Sequence, residues 1–153
     1  MIRFSTMLLG GIWLSSATAG DSTRDELKSF QGTWKIIRME QSGKAMTKEA
    51  IAKGHIVFEG NEMNMKGLKD LACATATLPF AFDVAKGTFD LTTVTFNDGK
   101  AEKLILPGIY AFEQNKLRIC VGNELSDKGK ARRPKEFRSS KENGAMLLIL
   151  EKN

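Results

Sequence analysis

Few residues in this 153-residue chain are equipped for chemistry, and their spacing excludes most of what such residues do. There is one histidine, His55. A Ser-His-Asp arrangement would have to use it, yet no Gly-x-Ser-x-Gly turn offers a nucleophile. Zinc ligands come in closely spaced pairs, and Cys73, Cys120 and His55 do not. The acidic residues are scattered without the spacing of a calcium loop. Gly43, Gly54, Gly60, Gly99 and Gly129 read as turn punctuation rather than as a phosphate-cradling loop. A pair of carboxylates facing one another, as glycosidases use, is not excluded by sequence, but nothing favours any particular pair. The expectation is a non-enzymatic protein with no metal and no cofactor.

Two features invite a binding role instead. The first is a basic run, Lys128, Lys130, Arg132, Arg133, Lys135, Arg138 and Lys141. It suits an anionic polymer or surface, or else it is a solvated loop. Only Phe137 interrupts it as a stacking residue, which argues against nucleic acid. The second is an apolar set, Met63, Met65, Phe80, Phe82, Phe89, Leu104, Tyr110 and Phe112. If these line an interior, they enclose either a pocket for a small apolar ligand or a core packed shut by its own side chains. Methionine would let such a pocket adapt its shape.

The elements that must position these residues begin after an export signal. Arg3 supplies a single positive charge, an apolar stretch runs from Phe4 to Leu14, and Ala17-Thr18-Ala19 fits a small-residue cleavage site. The apolar stretch is shorter than the ~20 residues a membrane span needs. Residues 1–19 are thus expected to be a signal peptide and 20–153 a single exported domain, periplasmic or secreted, without a membrane span. The full chain carries a net charge of +5, which loss of Arg3 lowers by one. Export argues against genomic DNA as a partner and makes a Cys73–Cys120 disulfide one of two readings, the other being two separate thiols. The bridge would close nearly fifty residues, worth ~4 kcal/mol by the chain-entropy model.

Within the domain, Ser22 or Thr23 caps a one- or two-turn helix that stops at Gly32, with Leu27 and Phe30 on one face. Strands follow with short turns. Thr33 to Glu40 alternates in part, and Thr47 to Lys53 reads as a short helix. His55–Glu59 and Glu62–Lys66 form a hairpin. Cys73 to Asp83 is extended, with Pro79 marking an edge or bulge. From Gly87 to Phe96 the apolar parity changes, which predicts a bulge or break. Lys103–Phe112, Leu117–Val121 and Ala145–Glu151 complete the set. About eight strands without long intervening helices predict an all-β, antiparallel barrel preceded by a short helix.

Gly32-Thr33-Trp34 at the start of the first strand, after a short helix, resembles the opening of a lipocalin-type barrel. The ordered set Leu27 with Gln31-Gly32-Thr33-Trp34, Gly108-Ile109-Tyr110, Leu117-Arg118-Ile119-Cys120, Arg133-Pro134-Lys135-Glu136-Phe137 and Met146-Leu147-Leu148-Ile149-Leu150 resembles a family of small exported lipocalin-like domains abundant in planctomycete bacteria. That family has no established function, so the resemblance implies a calycin-type barrel and nothing about activity. It also implies that Trp34 closes one end of the barrel beneath an arginine, Arg133 or Arg138, in a cation–π contact. The candidate roles are therefore a barrel binding a small hydrophobic ligand, or a module that docks on an envelope protein or anionic polymer, an inhibitor among the versions of it.

Overall fold

Alternation along each strand decides which side chains enter the interior, and hydrogen-bonded register decides where they meet. The computed structural model describes residues 19–68, 77–123 and 131–153. Helix α1 (Ala19–Phe30) leads into β1 (Gly32–Gln41), β2 (Lys44–Ala45), α2 (Lys48–Ile51), β3 (His55–Glu59), β4 (Glu62–Lys66), β5 (Thr77–Asp83), β6 (Thr88–Asn97), β7 (Lys100–Glu113), β8 (Lys116–Val121) and β9 (Met146–Lys152). Neighbouring strands run antiparallel in the order β1-β3-β4-β5-β6-β7-β8-β9, and β9 pairs back onto β1 from Trp34–Lys152 to Gln41–Met146. The result is a closed eight-stranded antiparallel barrel, with β2 a two-residue tab on β1. No described helix is long and apolar enough to cross a membrane.

The interior follows the alternation. Ile56 and Phe58 from β3, Met63 and Met65 from β4, Phe89 and Leu91 from β6, Leu117 and Ile119 from β8, and Leu148 and Leu150 from β9 are all buried. In β1 the parity changes. Trp34 and Ile36 point inward, the register with β9 shifts between Ile36 and Arg38, and Met39 is the next buried side chain. Ile37, at the irregularity, is left 37% exposed. This bulge explains why the first strand alternates only in part.

Three local expectations need correction. Ser22 and Thr23 lie inside α1, which extends N-terminal of them, so neither is its cap. The parity change in β6 is no bulge, because β6 pairs with β7 in continuous register from Thr88–Ile109 to Asn97–Lys100. Val94 faces outward at 53% exposure, and it is Thr93 that turns inward. Pro79 is not at an edge, since closure leaves β5 paired on both sides; it stands opposite Glu62, close to the turn at Gly60-Asn61. The second helix agrees with its prediction, starting at an N-cap, Thr47, whose Oγ1 accepts from Ala50 N at 3.2 Å.

Outside the barrel, residues 131–145 form a strap across β7–β9. Phe137 packs with Ile109, Cys120, Ala145, Leu147 and Ile149 in a small second cluster. Arg118 stacks on the Phe137 ring at 4.5 Å. Ser139, the one buried polar side chain among the described residues, is satisfied twice, donating to Ala145 O at 2.7 Å and accepting from Gly43 N at 2.8 Å.

Candidate functional site

The two ends of the barrel are built differently. At one end lies the C-terminus of α1, where the last four carbonyls of a helix lack intrahelical partners. All four are met. Leu27 O accepts from Gln31 Nε2 at 3.0 Å, Lys28 O from Gln31 N at 3.2 Å, Ser29 O from Lys152 Nζ at 3.3 Å and Phe30 O from Trp34 Nε1 at 2.7 Å. Gln31 also grips the β3–β4 turn, donating to Gly60 O at 3.0 Å and accepting from Gly60 N at 2.7 Å. Tyr110 fixes the helix further up, its hydroxyl donating to Glu26 Oε1 at 2.9 Å. Burial first, and the Glu26 carboxylate second, raise the Tyr110 phenol well above its ordinary range.

So anchored, α1 inserts Phe30 into the barrel as a plug. Its ring, fully buried, lies 4.9–5.9 Å from those of Phe58, Phe80, Phe82, Phe89, Tyr110 and Phe112. Most of the apolar set singled out in the sequence is therefore wall around this plug. Phe80, Phe82, Phe89, Tyr110 and Phe112 surround it, and Met63 is buried in the same core. Leu104 is partly exposed and lies outside the packed core.

The other end is less full. A partly open cavity of about 130 Å3 lies there, with Met65, Leu78, Leu91, Leu106, Val121 and Met146 as its apolar walls. Gln41, Thr93 and Asn123 add polar groups. Of the predicted pocket residues only Met65 reaches it. Leu91, Leu106, Val121 and the closing strand bearing Met146 all carry the inward parity that marks the cavity lining in the sequence. What parity does not give is height along the barrel axis, and height separates plug from cavity.

The other singled-out residues are dispersed. Trp34 is buried at the plugged end, and the cation over its ring is Lys152, with Nζ 5.0 Å from the ring centroid. Neither arginine takes that place. Arg133 stands at the strap, donating to Gly108 O at 2.5 Å and pairing with Asp90 at 2.6 Å. Arg138 lies beside Glu136 at 3.7 Å. The physical reason is chain path: residues 131–145 cross the outer wall, whereas β9 delivers Lys152 to the helix end, where a cation also suits the helix dipole. Of the basic run, Arg132, Lys135 and Lys141 are exposed, and Lys128 and Lys130 lie outside the described residues.

Cys120 is a free thiol buried under the strap, its Sγ 3.7 Å from Arg138 O, and burial raises its pKa. Cys73 lies outside the described residues, and with it the pairing considered for Cys120. Among the described residues no three His, Cys, Asp or Glu side chains gather as a metal site. No protein-family model, curated protein or solved structure matches the chain.

Proposed function

We propose that this protein is an exported, non-enzymatic barrel of the lipocalin type that holds a small apolar ligand in the end opposite its helical plug. The observation that carries the reading is the contrast between the two ends: one is sealed by Phe30 and its ring of aromatic side chains, the other keeps an apolar cavity of about 130 Å3. A closed apolar space of about 150 Å3 accepts one benzene-sized ring. The ligand is accordingly a single ring or a short alkyl chain, contacted by Met65 and Met146, whose flexible thioethers adapt to its shape. The basic charge-then-apolar order of the first nineteen residues supports export.

The test is native mass spectrometry of residues 20–153 purified from several hosts, followed by titration with benzene and short alkyl alcohols. A co-purifying small molecule, or saturable binding that Leu91→Phe abolishes without loss of fold, is expected. Absence of both a bound molecule and saturable binding overturns the reading.

A further inference from the structure

A second place, on the outer wall, gathers several positive charges around one acid. Strand register sets Lys116, Glu151, Lys35, His55 and Lys66 side by side across β8, β9, β1, β3 and β4. Each adjoins an inward residue in sequence, respectively Leu117, Leu150, Trp34, Ile56 and Met65, so all five face out. Directly opposed residues of antiparallel strands hold their Cβ atoms about 5 Å apart. Lys35, His55 and Lys66 are thus consecutive neighbours, and the turn before β3 adds Lys53. A groove of about 260 Å3 lies here, lined by Thr33, Lys35, Ala52, Lys53, Gly54, His55 and Asn153.

Two details make this more than a solvated face. Among the described residues, Lys35, Lys53 and Lys66 form no ion pair, although six pairs occur elsewhere. Glu151, the acid opposite Lys35, instead accepts from Asn115 Nδ2 at 3.3 Å. The His55 ring is also oriented. Its Nδ1 lies 3.2 Å from Lys53 O, which ties the ring to the turn that carries Lys53.

We propose that this groove binds a tetrahedral oxyanion, a sulfate or phosphate group, between the ammonium groups of Lys35 and Lys53, with the His55 ring at its edge as a reporter. Lysines act as point charges toward such groups and need no planar match. The groove offers no aromatic platform for a base, which separates this site from a nucleic-acid surface. The group arrives either as the free ion or as an ester on a polymer.

His55 is the chain's only histidine, so its imidazole NMR signals report this groove alone. Sodium sulfate and dextran sulfate, each titrated against sodium chloride of equal ionic strength, form the two arms. A saturable displacement of the His55 signals is expected. Saturation with the free ion names an ionic ligand, and saturation with dextran sulfate alone names a polymer-borne one. The double variant Lys35→Gln/Lys53→Gln, altered only at exposed positions, should weaken binding at least tenfold with an unchanged unfolding midpoint. Displacements no larger than those from chloride, or unchanged saturation in the double variant, overturn the proposal. The cavity is on the inside and His55 on the outside, so the ligand titration and this one fail independently.

Discussion

Tyr110 is the only tyrosine in the chain, and its position makes it a reporter of the helix plug. The hydroxyl donates to Glu26 across the joint between α1 and the barrel, and the ring packs on Phe30. Ionising it would place a phenolate beside a carboxylate in a buried site, so the fold holds it protonated. The sign of the linkage follows. An unfolded tyrosine ionises near pH ~10. Because the folded value is raised above that, the stabilisation is present in full below pH ~10 and is lost as pH climbs from there through the folded value. The ultraviolet phenolate band should therefore stay absent at pH values where free tyrosine is largely ionised, and should emerge together with loss of β-sheet signal. Glu26→Gln removes the opposing charge and should bring the onset to lower pH. A band titrating near pH ~10 in the folded protein would mean that the hydroxyl is solvated and the plug is loose.

At the level of the element, β7 carries a tight constraint between its two flanking strands. A Cβ built on Gly108 would lie 2.6 Å from Cys120 O and 2.7 Å from Phe89 O, both backbone atoms of the flanking strands. Backbone cannot step aside as a side-chain tip can, so Gly108→Ala must open the β6–β7–β8 ladder. The expected cost is about 1–3 kcal/mol, as for overpacking elsewhere, read as a lower urea midpoint with an unchanged slope. The strap shares the strain, because Arg133 donates to Gly108 O and a Cβ on Gly122 would meet Arg132 O at 2.0 Å. Gly108, Arg133 and Phe137 each have a scaffolding part here. The sequence made the barrel legible and the site much less so. Alternation put Met63, Phe89 and Leu117 inside correctly, since in-or-out is a local property of a strand. Whether an inward residue lies against Phe30 or lines the cavity depends on the stagger of eight paired strands, which no single segment encodes. The same limit hid Lys152. Its place over Trp34 comes from β9 closing on β1, not from anything near either residue in sequence.

At the scale of the whole molecule, the plug fills one end of the barrel and the cavity leaves the other less packed. Fully packed interiors leave few voids larger than a water molecule, so about 130 Å3 of apolar space forgoes contacts that the same walls could make with one another. Leu106 is half-buried on that wall, opposite Leu91 in the β6–β7 pairing, and points into the space. Leu106→Phe adds a ring where there is room for one, without touching the α1 end. Cavity filling of this kind commonly gains about 0.5–2 kcal/mol. For a domain of this size that raises Tm by a few degrees, since about 1 kcal/mol corresponds to roughly 2–8 °C. The same ring should occupy the ligand's place, so saturable binding of benzene or a short alkyl alcohol should disappear as Tm rises. The two effects must occur together if the void is kept for a ligand. A variant that melts lower would show that the wall cannot accept the ring. A variant that melts higher and still binds would place the ligand elsewhere than between Leu91, Leu106 and Val121.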